Sequence, residues 1–288
     1  MSTPPDKSIY LPGSRTGVLL VHGLGGTPVE MKSVARGLNS AGHTVLCCQL
    51  AGHCGTEEDL KKSTWQEWAA SVETGLARLT GECDIVLAGG LSMGSLMALN
   101  LAHANPAKVQ GLLLFAPTLR HDGWAIPWYS FLLDVLIDTP VGTRWQFVES
   151  FPYGLKDERV RNIVLRAMRS GNSAEGGADG TPSQSVKQFW HLIRRVKAAL
   201  PQIKTPAFIA HAREDDISSL KRNTFVLQSR LGGLVETLVL DDSYHIVTLD
   251  RQRDILIERA VAYVAWAVEH AQKMRNASRL SVARIPSA

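Results

Sequence analysis

Ser92 stands in the pentapeptide Gly90-Leu91-Ser92-Met93-Gly94. An apolar run over 85–89 leads into it, and a helix-like stretch over 95–104 leaves it. That order predicts a strand, a sharp turn and a helix, with the serine at the tip of the turn. Small residues two positions away on either side relieve the crowding such a turn creates. The helix N-terminus behind the hydroxyl favours developing negative charge. A serine so placed suits nucleophilic acyl transfer, provided a base takes its proton.

The chain has nine histidines. His245 ends Asp241-Asp242-Ser243-Tyr244-His245, after the last predicted strand and before the final helix, which makes it the candidate base. His211, at the end of the preceding strand, is its rival. His103 and His270 read as helix-face residues, and His22, His43, His53, His121 and His191 lie in other contexts. An imidazole base needs an acid to hold its tautomer and stabilise its charge. The loop His211-Ala212-Arg213-Glu214-Asp215-Asp216-Ile217 offers three adjacent carboxylates. Asp215 is the first choice and Asp216 the second. The order serine, acid, base along the chain is one of the known arrangements of a triad. The oxyanion of a tetrahedral intermediate needs backbone donors. Met93 N–H, just after the serine, is one candidate. Leu24 N–H, in His22-Gly23-Leu24-Gly25-Gly26, is the other, since glycines let backbone approach a ligand closely. The spacing of these glycines fits neither a Walker loop nor a dinucleotide fingerprint.

The elements that must position these groups follow a repeating pattern. Apolar runs at 17–21, 44–50, 84–91, 109–116, 206–210 and 235–240 have the length and continuity of strands buried on both faces. Helical stretches fall between them at about 29–40, 64–79, 92–104, 219–230 and 253–272. Alternation of this kind predicts a mostly parallel α/β sheet flanked by helices. Sites in such sheets form beyond the carboxyl ends of the strands, where all three candidate residues lie. The segment 118–201 breaks the pattern. It is rich in aromatic residues, has helix-like spacing at 159–168 and 186–200, and is polar and Gly-rich at 171–183. It reads as a helical cap inserted between two halves of the core, 1–117 and 202–272. The tail, 273–288, reads as a solvated, frayed basic terminus.

Composition narrows the function classes. With 45% apolar residues, a chain of 288 residues buries a sizeable core, and a net charge of +4 gives no general case for nucleic acid. The first ten residues lack the apolar core of a signal peptide, and no run approaches a membrane span, so a cytoplasmic protein without stable membrane insertion is expected. Cys47, Cys48, Cys54 and Cys83 show no metal-ligand spacing, and no metal is expected. Cys54, in a Gly-rich loop, is a candidate reactive thiol near the site.

Taken together, His22-Gly23-Leu24-Gly25-Gly26-Thr27-Pro28, Gly90-Leu91-Ser92-Met93-Gly94, Asp215 and His245 resemble the α/β-hydrolase superfamily. Within it the chain is similar to small bacterial carboxylesterases and monoacylglycerol lipases, from about residue 17 to residue 268. Ala51-Gly52-His53-Cys54-Gly55 resembles the family's Gly-His-Gly loop, with Cys54 where a small residue is usual. Ala212-Arg213-Glu214-Asp215 resembles its acid loop and favours Asp215. The run from Ser243 through Tyr244-His245 to Asp250 resembles its base loop, with Tyr244 where glycine is common. The resemblance implies cofactor-free and metal-free transfer of an acyl group from a small-molecule ester to water through an acyl-serine. It also implies that the cap selects substrate. Gly23, Trp124, Trp128 and Tyr244 are the candidate substrate contacts, and a monomer or homodimer is expected.

Overall fold

A computed structural model of the chain describes the backbone at residues 6–127, 145–148, 151–169 and 180–282 and at positions 137, 139 and 142. Seven strands form one sheet: β1 (Ile9–Leu11), β2 (Thr16–Val21), β3 (Thr44–Cys48), β4 (Ile85–Leu91), β5 (Val109–Phe115), β8 (Ala207–Ala212) and β9 (Val235–Leu240). Their order is β1-β3-β2-β4-β5-β8-β9. All neighbours are parallel except β1, which runs antiparallel to β3 at the edge. The expected mostly parallel sheet is therefore present, with β1 added. Three residues are too short a run to carry a strand signal; β1 exists because Ile9–Leu11 finds the free edge of β3.

Continuous apolarity follows from two-sided burial. Val18 and Leu20 point to a cluster that includes Val34, Ala35 and Leu38 of α1 (Lys32–Ser40) and Leu256, Ala260 and Val264 of α8 (Arg253–Val282). Leu19 and Val21, one residue out of step, point to the opposite cluster. That cluster holds Trp68, Val72 and Leu76 of α3 (Trp65–Glu82) and Leu96 and Leu99 of α4 (Met93–Ala104).

Two helices begin on capping boxes, which satisfy backbone donors otherwise left open. Thr56 and Asp59 start α2 (Glu57–Lys62), and Thr64 and Glu67 start α3. Helix α2 was not expected from periodicity, although Thr56-x-x-Asp59 is its signature.

The segment 118–201 is not purely helical. A two-stranded antiparallel ribbon pairs β6 (Gln146–Val148) with β7 (Gly180–Pro182). Helix α5 (Glu158–Arg169) lies between them in sequence, and α6 (Ser183–Ala199) follows. Phe189, Leu192 and Val196 of α6 are buried in the same cluster as α3 and α4. The last part of the segment is thus a layer of the main core. Most of the Gly-rich stretch 171–183 lies outside the described residues. Helix α7 (Thr224–Arg230) starts later than the expected 219.

The C-terminal tail needs correction. Helix α8 continues to Val282 rather than ending at 272, and Arg275 donates to the Asp84 carbonyl at 2.9 Å. No glycine or proline interrupts 253–282, so nothing local stops the helix.

Trp68 is fully buried, and its Nε1–H donates to Ser63 Oγ at 2.9 Å. Trp68→Ala should destabilise the fold by about 3–5 kcal/mol, read as a lower urea midpoint with the m-value kept.

Candidate active site

Strand β4 ends at Leu91, and α4 begins at Met93, so Ser92 alone makes the turn. Its φ of 55° and ψ of −114° lie outside the regions favoured by L-residues. Such a conformation costs about 1–3 kcal/mol and persists only where its surroundings impose it. Several contacts do so. Ser92 N–H donates to the Phe115 carbonyl at 2.8 Å, and Ser95 Oγ donates to the Gly90 carbonyl at 2.7 Å. A Cβ at Gly90 would sit 2.4 Å from the Val21 carbonyl oxygen, and one at Gly94 2.1 Å from it. The two glycines are required because strand and helix both press on the end of β2. Ser92 gives no side-chain cap to α4, so it is not an ordinary N-cap serine.

His245 Nδ1 lies 2.8 Å from Asp215 Oδ2 and 3.0 Å from Oδ1. The carboxylate also accepts from the Ile217 and Ser218 N–H groups, at 2.9 and 2.7 Å, and His211 Nε2 lies 3.1 Å from Oδ2. Burial alone would raise the Asp215 pKa. The neighbouring His245 and His211 and their hydrogen bonds outweigh it and hold the carboxyl below the usual carboxylate range. Burial likewise disfavours the His245 imidazolium, but the Asp215 charge and hydrogen bond prevail, and the net shift is upward. With Nδ1 bound to Asp215, Nε2 is the nitrogen left to act as a base.

Asp216 is used differently. It accepts the His245 N–H and the Gly154 N–H, both at 3.1 Å, so it ties the histidine loop to the cap segment. Burial pushes its carboxyl up. His211 has both ring nitrogens occupied: Nε2 meets the Ser218 carbonyl at 2.8 Å and Nδ1 the Thr224 hydroxyl at 2.7 Å. It has no nitrogen left for a substrate or for Ser92.

The oxyanion loop lies against the serine. A Cβ at Gly23 would be 3.8 Å from Ser92 Cβ. His22 is fully buried, and burial with the nearby His53 lowers its pKa to about 3, so it is neutral. The Leu50 N–H donates to its Nε2 at 3.3 Å, and its Nδ1–H donates to the Gly23 carbonyl at 2.9 Å. That carbonyl and the Leu24 N–H belong to one planar peptide, so holding the first aims the second. Gly23 N–H donates to Glu30 Oε2 at 3.0 Å. The Gly23 N–H and C=O are therefore both engaged within the loop. Met93 N–H directly follows Ser92, and Leu24 N–H directly follows Gly23, the residue beside the serine.

Trp124 is 58% exposed, donates through Nε1 to the Glu214 carbonyl at 2.9 Å, and packs edge-on against Tyr244 with centroids 5.5 Å apart. Tyr244 directly precedes His245 in the chain, and Lys156 Nζ lies 5.4 Å from its ring centroid. Trp128 lies outside the described residues. Cap residues touch the site loops in three places. Cβ positions built at the glycines show it: Gly123 would meet the Asp216 carbonyl oxygen at 2.3 Å, Gly154 the His245 Cβ at 3.4 Å, and Gly25 the Thr181 hydroxyl at 3.4 Å.

Burial, then the Glu30 carboxylate, pushes the Cys54 thiol up to about 11. The thiolate is the reactive form, so the expectation of a reactive Cys54 is not supported. No group of three or more candidate metal ligands occurs among the described residues. No helix of the described residues is long and apolar enough to cross a membrane. No role for the His22 ring, Glu30 or the Asp250 carboxylate was legible in the sequence. Asp250 is fully buried and accepts N–H groups of Tyr244, Lys156 and Asp157 at 2.6–3.0 Å, joining the base loop to the cap. A short acidic residue at the start of a helix carries no local mark of such a role.

A parallel sheet with a serine on a tight strand–helix turn, and a histidine–carboxylate pair on its last two loops, defines the α/β-hydrolase fold. The chain belongs to the Hydrolase_4 family, described as serine aminopeptidase, S33, whose model matches residues 13–252. It is 29% identical over 267 residues to a thermostable monoacylglycerol lipase of Bacillus sp. (strain H-257), covering 90% of this chain and 94% of that one. It is 22% identical over 257 residues to a carboxylesterase of Bacillus subtilis (strain 168), covering 89% and 95%. Among solved structures it is similar to one from a study of the metagenome-derived lipolytic enzymes LipS and LipT, with a TM-score of 0.77, 27% identity, and 92% and 99% of the two chains covered.

Gly94→Ala should destabilise by about 1–3 kcal/mol, because the clash is with backbone and cannot be relieved by a rotamer. Gly81 in α3 faces open space, and Gly81→Ala should stabilise by about 0.5–1 kcal/mol. Chemical denaturation of the two variants checks the opposite signs.

Proposed function

We propose that the protein hydrolyses carboxylic esters, with Ser92 as nucleophile, His245 as general base and acid, and Asp215 as the acid that orients His245. The observation that carries this reading is the buried His245–Asp215 pair, 2.8 Å apart, on loops at the same carboxyl-end edge of the parallel strands where Ser92 turns at φ 55°. Ser92 Oγ attacks the ester carbonyl while His245 Nε2 takes its proton. The Leu24 and Met93 N–H groups hold the oxyanion. His245 then protonates the leaving alcohol, and the acyl group remains on Ser92. Water, deprotonated by His245, attacks the acyl-serine; as that intermediate collapses, His245 gives the proton to Ser92 Oγ and the carboxylic acid leaves. No metal or organic cofactor enters this cycle.

The relatives named as a monoacylglycerol lipase and a carboxylesterase support a small-molecule ester as substrate; the aromatic residues of 118–201 favour a short to medium acyl chain. Trp124 and Tyr244, packed on each other one residue before His245, are our candidate contacts for an apolar group. A panel of monoacylglycerols, p-nitrophenyl esters of increasing chain length, thioesters and an aminoacyl amide separates ester hydrolysis from the other reactions a triad serves. Preference for the thioester or the amide would overturn the reading.

Ser92→Ala should cut turnover of p-nitrophenyl butyrate by a factor on the order of a million. Turnover near the wild-type rate would refute the assignment. The pH profile gives a second check. His245 must be neutral to act as base, and Asp215 raises its pKa, so kcat/KM should fall on acidification with a midpoint above the ordinary histidine value. Asp215→Asn should lower that midpoint and reduce kcat by about ten-thousandfold.

A further inference from the structure

Thr118 follows β5 in Ala116-Pro117-Thr118 and is fully buried. It belongs to neither the base loop, the acid loop nor the oxyanion loop. Its hydroxyl nevertheless lies 3.2 Å from Ser92 Oγ. On its other side it lies 3.3 Å from Ser218 Oγ, and Ser218 Oγ lies 3.3 Å from Asp215 Oδ2.

Counting protons fixes one of these bonds and favours one direction for the others. An ionised carboxylate only accepts, so Ser218 donates to Asp215. Ser218 has no second proton, so it accepts from Thr118. Thr118 can also donate to the Ala116 carbonyl, 3.2 Å away. Two acceptors besides Ser92 thus compete for its one proton, and with either of them served Thr118 accepts from Ser92. Ser92 is then the donor. The chain runs one way, from the nucleophile to the acid, and it bypasses the histidine.

We propose that Thr118 is a positioning residue that latches the Ser92 proton onto a hydroxyl relay ending at Asp215. The inference rests on Ser92 being the nucleophile. In the resting protein the serine donates to Thr118, away from His245. Attack requires that proton to be handed to His245 Nε2, so the bond to Thr118 must break first. It stabilises the resting state and is absent from the transition state. Removing it should therefore speed acylation. The expected gain is about two- to tenfold, the net worth of one neutral hydrogen bond. Substrate that displaces the serine from Thr118 would release the latch.

The test measures the second-order rate constant for inactivation by a small alkyl fluorophosphonate, with the labelled residue found by mass spectrometry. Thr118→Val replaces the hydroxyl by a methyl of similar size, and Thr118→Ala removes both. Both variants should be inactivated about two- to tenfold faster than wild type. Thr118→Ser keeps the acceptor and should match wild type. Ser218→Ala should change the rate less than Thr118→Val, because Thr118 then donates to the Ala116 carbonyl and still accepts from Ser92. A packing defect would slow the reaction rather than speed it, and serine would not rescue the valine variant selectively. If Thr118→Val does not fold, Thr118→Ala decides. Equal or slower inactivation in the variants lacking the hydroxyl overturns the latch, as does a Thr118→Ser variant as fast as Thr118→Val. Absence of labelling at Ser92 in the wild-type chain removes the nucleophile itself, an outcome distinct from labelling at equal rates in every variant.

Discussion

The backbone of Ser92 is held where an L-residue resists going, and most of the site is arranged around that constraint. One strained residue is tolerable when its neighbours leave no alternative. Here β4 is clamped between β2 and β5, and the Ser92 N–H is spent on the Phe115 carbonyl. Gly90 and Gly94 let the turn sink onto the Val21 carbonyl, where any side chain would collide. The strain is offset by a core that closes over both faces of the sheet. Its effect is to lift a hydroxyl clear of the strand end while the first turn of α4 stays behind it.

Three buried carboxylates then join loops that share no sequence neighbourhood. Asp215 gathers His245, His211 and its own loop. Asp216 connects the His245 backbone to Gly154, and Asp250 connects the Tyr244 backbone to Lys156 and Asp157. Each accepts from backbone N–H groups, which satisfies a buried charge and fixes loop geometry together. His245 is therefore held by the loop of Asp215 and Asp216 and, through Asp216 and Asp250, by residues 154–157. Movement of the cap segment around 154–157 would be felt at His245 through Asp216 and Asp250.

The hydroxyls of Thr118 and Ser218 lie within the same network. They connect Ser92 and Asp215 by side chains alone, apart from the His245 ring. A buried hydroxyl with one proton and several acceptors around it has a direction, and that direction bears on which state of the serine is favoured before substrate arrives.

Much of this was legible in the amino-acid sequence. Continuous apolar runs separated by amphipathic stretches specify a parallel sheet covered on both faces, because only such a sheet buries every residue of a strand. Gly90-Leu91-Ser92-Met93-Gly94 after such a run specifies the turn, since its steric demand is local. Asp215 and His245 were legible because they follow the ends of β8 and β9. The edge strand β1, the ribbon of β6 and β7, and the docking of α6 into the main core were not. Each depends on a partner far away in the chain, and short segments carry no periodicity of their own. The same reason hid Thr118, Ser218, His22 and Asp250, and left Asp215 and Asp216 distinguishable only by resemblance. Adjacent carboxylates look alike in sequence. Only tertiary packing aims one at a histidine ring and the other at two backbone N–H groups, because side-chain direction is set by what the neighbouring loops leave open.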